Sequence, residues 1–392
     1  MTADAKTGQW HETAAGLLYV VGDSVQFEDD LAHWKQGFSR LLEISDEQCR
    51  KLVVTVVAVA LEIYGRPFCD LREPEKLSAL KEGVGRHFVL PERTAGDEAL
   101  ISAHSRSWGA SFDGSPADTI YAHSISGNQQ RMVVGAGACQ FGWQITTADH
   151  HPVPAASVEY DRSYYDLPRL AHCGMRDYIR DDHWRIEKAR RLMKTVIEGA
   201  GSRSTRWLKN PERVRALDVG SATGYFRQAI SEMGFQHYGI DLSGDAIRIC
   251  KETFGFDTWQ ASVFELPAVA SFLAGSCDII TLWDTIEHFD EPLAVAKLLR
   301  EFLSADGILV VRTPSLTAFE AEILRDMYYS FKLDHVRYFS PRSLTALMEM
   351  AGLAPVYMET TSHLFKGFLG ATCLYRMGRA LKGADIVALY SK

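Results

Sequence analysis

The chain has few of the features that mark a metal-stabilised, secreted or membrane-spanning protein. Its seven cysteines are scattered over 392 residues, and no two of them stand in a C-x-x-C pair. Neither a zinc site nor a disulfide framework is therefore indicated. The longest apolar run, residues 52–61, has about half the length that a membrane-spanning helix needs. No basic segment followed by an apolar one opens the sequence, so we expect a cytoplasmic protein.

Positive charge is also scarce. Lysine and arginine total 42 against 50 aspartates and glutamates, which leaves a net charge of −8. An acidic chain is repelled by nucleic-acid phosphates and by anionic membranes, so we expect neither as a partner. Apolar residues make up 46% of the chain, which is enough for real hydrophobic cores, and the length suggests two or three domains.

Residues 216–243, ALDVGSATGYFRQAISEMGFQHYGIDLS, carry the strongest functional signal. They predict a strand, a tight turn with Gly220 and Gly224, a helix, and a second strand that ends at Asp241. A glycine turn lets backbone N–H groups approach a ligand, and the positive end of the following helix points at the same place. An acid at the tip of the second strand can accept the hydroxyls of a ribose. This unit is built to hold a nucleoside.

The spacing within the turn distinguishes between nucleosides. The dinucleotide pattern G-x-G-x-x-G fails, because Ala222 and Tyr225 stand at its second and third glycine positions. The turn instead resembles motif I of the class I S-adenosylmethionine (SAM) methyltransferases, an acid followed by G-x-G-x-G, with Asp218 as the acid. Alanine at the middle glycine position predicts a negative φ at that residue.

Two later segments strengthen this resemblance. Residues 276–292, SCDIITLWDTIEHFDEP, resemble the D-x-x-E-H-x-x-D-P segment of a subfamily that includes the ubiquinone-biosynthesis O-methyltransferases and sugar methyltransferases. Residues 333–353 resemble that subfamily's H-x-x-x-F-S segment, which precedes a helix ending in A-G-L. Together with the tyrosines upstream of motif I, the resemblance covers roughly residues 158–392.

The resemblance implies SAM as the cofactor and a role for each residue around it. Backbone groups would hold the methionine part at Gly220, Ser221, Ala222 and Gly224. Asp218 would steer the ammonium group, and Asp241 would take the ribose hydroxyls. The adenine and the sulfonium end would contact Leu242, Ser262, Val263 and Trp283. Ser262 stands where many relatives carry an aspartate.

Methyl transfer to a hydroxyl requires that a proton be removed, and histidine is suited to this because its pKa lies near neutrality. His335 and His288 are the candidates for the general base. The alternatives are that His335 caps the following helix and that His288 packs beneath the sheet. Four tyrosines precede motif I and are consistent with either a cover over the cofactor and acceptor or simple packing: Tyr160, Tyr164, Tyr165 and Tyr178.

No metal site is predicted. The adjacent His150 and His151 have no third ligand at a suitable spacing, and a polar linker explains them better. Carboxylates such as Asp284 and Glu287 do not exclude a metal ion.

The predicted fold of residues 158–392 is an α/β, Rossmann-like, doubly wound sheet of seven strands, because strands and helices alternate along this part of the chain. Its last strand is predicted to be an antiparallel edge strand that follows a long helix at 364–381. Residues 1–157 predict a separate N-terminal α+β domain, with helices at 29–42, 46–64 and near 74–81 and strands at 17–21 and 131–145. The second helix is apolar nearly all round, which suggests either homodimerisation or shaping of the acceptor site.

The sequence therefore predicts SAM-dependent methyl transfer to a small-molecule acceptor, most directly to a hydroxyl. Methylation of carbon or nitrogen, and a non-catalytic SAM-binding regulatory protein, remain as alternatives. An NAD-linked oxidoreductase is disfavoured by Ala222 and Tyr225.

Overall fold

The computed structural model describes a defined set of residues, most of them in the second half of the chain. They are residues 9–13, 16–20, 46–66, 71–87, 99, 118–123, 131–137, 139–146, 160, 182–318, 320–321, 328, 330–332, 334–362, 373–376, 381 and 383–392. The predicted helix at 29–42 lies outside them, as do His150, His151, Tyr164, Tyr165 and Tyr178.

Seven elements are described in the first 150 residues. They are β1 (Gln9–Thr13), β2 (Gly16–Val20), α1 (Asp46–Tyr64), α2 (Glu73–His87), β3 (Thr119–His123), β4 (Arg131–Ala136) and β5 (Phe141–Thr146). The helix predicted at 46–64 has the predicted bounds, and it packs closely on α2, because a Cβ at Gly83 would lie 2.5 Å from a Val56 methyl carbon. The single strand predicted at 131–145 is wrong. A turn divides it into the hairpin β4–β5, with Gln140 at a φ of 57°.

Helices and strands alternate from residue 182 onward. The elements are α3 (Asp182–Gly199), α4 (Ser202–Lys209), β6 (Arg215–Val219), α5 (Tyr225–Glu232), β7 (Gln236–Asp241), α6 (Gly244–Phe254), β8 (Trp259–Gln260), α7 (Leu266–Val269), β9 (Cys277–Trp283), α8 (Pro292–Phe302), β10 (Leu303–Pro314), β11 (Arg337–Tyr338), α9 (Pro341–Met350), β12 (Ala354–Ser362), β13 (Cys373–Arg376) and β14 (Asp385–Ser391). None of the helices in the described part of the chain is long and apolar enough to cross a membrane.

Eight strands form the main sheet in the order β13-β12-β14-β10-β9-β6-β7-β8. The five from β10 to β8 are parallel, and β14 runs antiparallel between β10 and β12. Seven of these strands make the predicted doubly wound sheet, and β13 adds an eighth at its edge. The helix predicted across residues 364–381 is wrong at residues 373–376, where the chain forms β13.

The predicted edge position of the last strand is also wrong. β14 is antiparallel as expected, but it lies inside the sheet with neighbours on both sides. Its five residues from Ile386 to Tyr390 are all buried. Such a nearly continuous apolar run is typical of a strand that is covered on both faces, whereas an edge strand usually carries polar interruptions.

Alternate residues along the central strands enter two different hydrophobic cores. Leu217 and Ile280 belong to one core, while their chain neighbours Ala216 and Ile279 belong to the other. This alternation is what a strand with helices on both of its faces requires. Because both faces are covered, a ligand can reach the sheet only at the ends of its strands.

A smaller sheet, in the order β11-β5-β4-β3, joins the first part of the chain to the second. β11, which follows β10 in the sequence, pairs antiparallel with β5 through Arg337 opposite Trp143 and Tyr338 opposite Gly142. The buried Trp143 belongs to the same hydrophobic core as Leu217. The hairpin β4–β5 therefore packs as part of the core of the α/β unit. The boundary at residue 157 stays a prediction.

Candidate functional site

The turn between β6 and α5 can be formed only with glycines at two positions. Gly220 and Gly224 have left-handed φ angles of 70° and 86°. A Cβ at Gly220 would lie 2.6 Å from a methyl carbon of Thr285, and one at Gly224 would collide with the sulfur of Cys250. The turn therefore lies directly against the segment that follows β9, and a side chain at Gly220 would force these two segments apart.

The predicted negative φ at Ala222 is wrong, since the residue has a φ of 42°. The Asp241 carboxylate explains why a left-handed alanine is tolerated. Its Oδ2 accepts the Ala222 N–H at 2.8 Å, and its Oδ1 accepts the Ser243 N–H at 2.8 Å. A left-handed alanine costs roughly 1–2 kcal/mol, which a hydrogen bond to a charged group can offset at about 1.5–3 kcal/mol.

Asp218 is buried at the end of β6 and accepts a hydrogen bond of 2.6 Å from the Thr281 hydroxyl. Burial raises the pKa of Asp218 to about 7. Burial also raises the pKa of Asp241, against the hydrogen bonds from its backbone donors. A cationic ligand beside these two carboxylates would stabilise their charged forms.

Several buried polar atoms around the turn have no hydrogen-bond partner among the residues that the structure describes. They are Ser221 Oγ, Thr223 Oγ1 and the indole nitrogen of Trp283. Buried polar groups are normally satisfied, so three orphaned atoms near one turn favour a missing polar ligand. The donors, the two carboxylates and the glycine turn suit the amino-acid part of SAM.

The residues implied for the adenine differ in their surroundings. Leu242 follows β7 with 62% of its surface exposed, whereas Val263 is buried. The Ser262 hydroxyl accepts the Phe264 N–H at 3.3 Å and so caps the short 3-10 turn Val263–Glu265. If a ligand covered the exposed Leu242 side chain, apolar surface would be removed from water, which favours binding. Contact of these residues with adenine stays a prediction.

The two predicted histidines, His288 and His335, lie side by side. His288 ends the 3-10 turn Ile286–His288 after β9, and His335 precedes β11. Their ring centroids are 5.0 Å apart, with the rings nearly perpendicular. The Val336 N–H donates to the Glu287 carbonyl at 3.0 Å and ties the two segments together. The resemblance named both histidines as candidates although they lie 47 positions apart, and the structure shows that they are neighbours in space.

Backbone carbonyls orient both rings. The Nδ1 atom of His288 lies 2.6 Å from the Asp334 carbonyl oxygen, and that of His335 lies 2.9 Å from the Ser330 carbonyl oxygen. A carbonyl only accepts, so each Nδ1 donates its N–H, and the lone pair of a neutral His335 ring lies on Nε2. Burial lowers the pKa of His335 to about 3, which keeps its ring neutral.

The helix that follows His335 has its own cap. Ser340 accepts the Ser343 N–H and caps α9, so His335 does not act as this cap. Of the tyrosines in question, Tyr160 is described, and its hydroxyl lies 3.1 Å from Nδ1 of His288. The Tyr160 carbonyl accepts the Ser243 hydroxyl, and Tyr160 therefore bridges the tip of β7 and the histidine pair.

A buried ionic group beside the histidines was missed by sequence reasoning. Arg312, on β10, forms ion pairs with Asp284 and Asp385. The next residue, Thr313, donates its hydroxyl to Glu287 Oε2 at 2.8 Å. Nothing in the local sequence distinguishes Arg312 from a surface arginine; only the pairing of β9 with β10 brings it next to Asp284.

Gln144 was also missed, because it lies in the first part of the chain on β5. It is completely buried, and its side-chain amide donates to the carbonyls of Lys332 and His335 and to the Tyr338 hydroxyl. Its backbone N–H donates to the Val336 carbonyl at 3.2 Å. One glutamine therefore holds the segment that carries His335.

Replacing Gln144 with alanine should lower the free energy of unfolding by roughly 2–4 kcal/mol, because buried carbonyls lose their donors. Denaturant titration of the full chain measures this. Gln236→Ala is the matched control, since Gln236 also donates to a carbonyl but is exposed. Equal losses in the two variants would contradict the holding role of Gln144.

Comparison with known proteins agrees with this geometry. Residues 183–357 match a family model described as a methyltransferase domain. Similar curated proteins include ubiquinone biosynthesis O-methyltransferases of Glaesserella parasuis (24% identical over 157 residues, 35% of this chain and 66% of the relative) and of Ralstonia nicotianae (25% over 155 residues, 37% and 65%). The chain thus spans about two thirds, or slightly less, of the length of these relatives.

Among solved structures, a SAM-dependent methyltransferase of Thermotoga maritima is similar at 20% identity, with a TM-score of 0.38. The match covers 55% of this chain and 96% of the other.

A doubly wound sheet with the antiparallel β14 beside β10, a glycine turn after β6 and an acid at the tip of β7 agree with the class I methyltransferase fold. Residues 183–357 form a methyltransferase domain of this SAM-dependent class, and the cofactor of that domain is SAM.

Proposed function

We propose that the protein transfers the methyl group of SAM to a hydroxyl group of a small molecule. The observation that carries this proposal is the pair of imidazoles, His288 and His335, which lie side by side and each contact a backbone carbonyl through Nδ1. A free Nε2 lone pair accepts a hydrogen bond from a hydroxyl, which is the group that must lose a proton. The similar curated proteins are O-methyltransferases, which supports oxygen as the methylated atom.

SAM supplies a methyl group on a positively charged sulfur, and the protein's task is to align the acceptor with it and exclude water. Asp218 binds the ammonium group and Asp241 binds the ribose hydroxyls. The backbone at Ser221 and Ala222 approaches the methionine part, and Trp283 lines the sulfonium end. His335 is the first candidate for the group that acts on the acceptor hydroxyl, and His288 is the second.

The surroundings of His335 favour a flat or amphipathic acceptor. Phe331 packs with its ring centroid 5.2 Å from that of Tyr328 and 5.4 Å from that of Tyr338. Tyr338 also lies 6.3 Å from the His335 ring. Aromatic side chains stack on flat apolar groups. We propose that the sheet β3–β5 shapes this acceptor side, since Gln144 on β5 holds the backbone of the segment that carries His335. An alternative role for the first part of the chain is to form a homodimer.

Replacing His335 with alanine should lower turnover at least tenfold, while the affinity for SAM barely changes, because the residue acts on the acceptor side. Formation of S-adenosylhomocysteine from SAM, with a panel of phenols, catechols and sugars as acceptors, measures turnover. Calorimetry with SAM measures affinity and shows that the variant is folded. His237→Gln, a partly buried histidine elsewhere in the domain, is the control.

Unchanged turnover in the His335 variant would remove this residue from the mechanism. A wild-type chain that binds SAM but forms no S-adenosylhomocysteine, with the panel or with cell extract, would instead indicate a regulatory SAM-binding protein.

A further inference from the structure

We propose that Arg227, a buried arginine on α5, is a positioning residue for SAM that acts on the ammonium group through Asp218. Asp218 pairs with Thr281 of β9 on one side and with Gly239 of β7 on the other. Residues that pair in a parallel sheet have their side chains on the same face. A Cβ at Gly239 would lie 2.7 Å from Nη1 and 2.9 Å from Cζ of Arg227. The guanidinium therefore takes the place of a side chain in the row beside Asp218.

The absence of a side chain at Gly239 brings the two charges close together. Neighbouring strands lie about 4.8 Å apart, so the guanidinium and the Asp218 carboxylate are separated by little more than this spacing. Both groups are buried, with 2% of Arg227 and 1% of Asp218 exposed. Charges interact more strongly in the interior than in water, because the effective dielectric constant is lower. Arg227 can therefore stabilise the charged form of Asp218 without touching it.

The hydrogen-bond partners of Arg227 in the described part of the chain carry no compensating charge. Its Nε atom is buried and has no hydrogen-bond partner there. The partners of its two Nη atoms are the Thr258 hydroxyl at 2.7 Å, the Asp257 carbonyl at 2.9 Å, Nδ1 of His237 at 3.3 Å and the Cys250 sulfur at 3.9 Å. A charge is costly to bury unless an opposite charge lies near. Asp218 is the buried carboxylate that meets this need.

The other titratable groups that face Arg227 are neutral or screened. Burial, together with the charge of Arg227, lowers the pKa of His237 to about 4, so this ring is neutral near pH 7. Burial raises the pKa of the Cys250 thiol, which therefore stays protonated. The Asp257 carboxylate is 93% exposed and paired with Lys251, so water screens its charge.

The charge of Asp218 is sensitive to such a neighbour. Burial raises the pKa of Asp218 to about 7, the Thr281 hydroxyl and the charge of Arg227 oppose this increase, and the Asp241 carboxylate adds to it. Without the charge of Arg227 the pKa would be higher, and Asp218 would be protonated in neutral solution. A protonated Asp218 would lose its attraction for an ammonium group.

This inference rests on the proposed contact of Asp218 with the ammonium group of SAM and is independent of the acceptor. Because the charged form of Asp218 binds the ammonium, affinity for SAM should be highest above pH 7 and should fall as the pH decreases through about 7. In a chain that lacks the charge of Arg227, this fall should begin at a higher pH.

Calorimetric titration of the full chain between about pH 6 and 8.5 tests the inference, with SAM and 5′-methylthioadenosine as ligands. The second ligand keeps the nucleoside and lacks the ammonium, so it reports on the fold of the cofactor turn alone. Arg227→Met should weaken SAM binding about tenfold at pH 7 and move the pH profile up by about one unit, since one unit corresponds to a tenfold change. Its affinity for 5′-methylthioadenosine should change less than about twofold.

Three further variants separate charge from packing. Arg227→Lys keeps the charge and should keep most of the SAM affinity. Arg227→Gln removes the charge but retains N–H donors, and it should behave as Arg227→Met does. Arg248→Met, at an exposed arginine on α6 that pairs with Asp245 and Glu252, is the matched control and should bind both ligands as the wild type does.

Asp218→Asn completes the test, because it removes the charge on which Arg227 is proposed to act. It should weaken SAM binding at pH 7 and leave 5′-methylthioadenosine binding unchanged, and adding Arg227→Met to it should cause no further loss.

Equal losses of both ligands in the neutral Arg227 variants, or an unshifted pH profile for SAM, would overturn the role of Arg227. Loss of SAM affinity in Asp218→Asn but not in those variants would overturn that role and leave the proposed contact of Asp218 with the ammonium intact. Unchanged SAM affinity in Asp218→Asn would overturn both.

Discussion

Alanine in place of Asp241 should weaken the binding of SAM by at least about 100-fold. The variant loses the proposed contact to the ribose and also the acceptor of the Ala222 and Ser243 N–H groups, and each of these two hydrogen bonds is worth about 1.5–3 kcal/mol. Ala222 then has no compensation for its left-handed backbone and the turn relaxes. Calorimetric titration with SAM and with S-adenosylhomocysteine measures the change.

An exposed aspartate of the same domain provides the control for this prediction. Asp257 has 93% of its side chain exposed and pairs with Lys251 on the surface, so Asp257→Ala should bind SAM as the wild type does. Asp241→Asn should fall between the two, because one carbonyl oxygen remains to accept a backbone N–H. If Asp241→Ala and Asp257→Ala bind SAM equally well, the turn is not the cofactor site.

Gly220→Ala should also weaken the binding of SAM, but by a different physical cause. Gly220→Ala places a Cβ 2.6 Å from Thr285 at a φ of 70°, so the turn must move away from the segment that carries Glu287 and His288. We expect SAM affinity to fall at least about 30-fold, which corresponds to roughly 2 kcal/mol.

The matched control for Gly220 has the same backbone strain without the collision. Gly255 ends α6 at a φ of 75°, and nothing lies within 4 Å of the Cβ that alanine would add there. Gly255→Ala should cost about 1–2 kcal/mol of stability and leave SAM affinity unchanged. Equal loss of affinity in both variants would mean that strain, and not the contact with Thr285, governs the site.

The glycine turn and the acid that supports it could be predicted from the sequence because these parts are close together in the chain. Asp218, the glycines and Asp241 stand within 24 consecutive positions of one β-α-β unit, and the spacing of such a unit fixes its geometry. The prediction failed at Ala222, where a long-range constraint, the Asp241 carboxylate, outweighs the local preference of alanine for negative φ.

The acceptor side was less accessible to sequence reasoning. The resemblance named His288 and His335, but it offered no reason to place Arg312 beside Asp284, because that contact depends on the pairing of β9 with β10. Gln144 carried no signal at all, since a glutamine within a strand pattern is usually exposed. The internal position of β14 was readable from its apolar run, which the expectation of an edge strand overlooked.

The contact between β5 and β11 has a consequence for the order in which the site is assembled. Gln144 and His335 are 191 residues apart along the chain. Closing so long a loop costs conformational entropy that a local β-α-β unit does not incur. The glycine turn can therefore form before β5 pairs with β11. A partly folded chain would then be able to bind SAM while the proposed acceptor side of the site is not yet assembled.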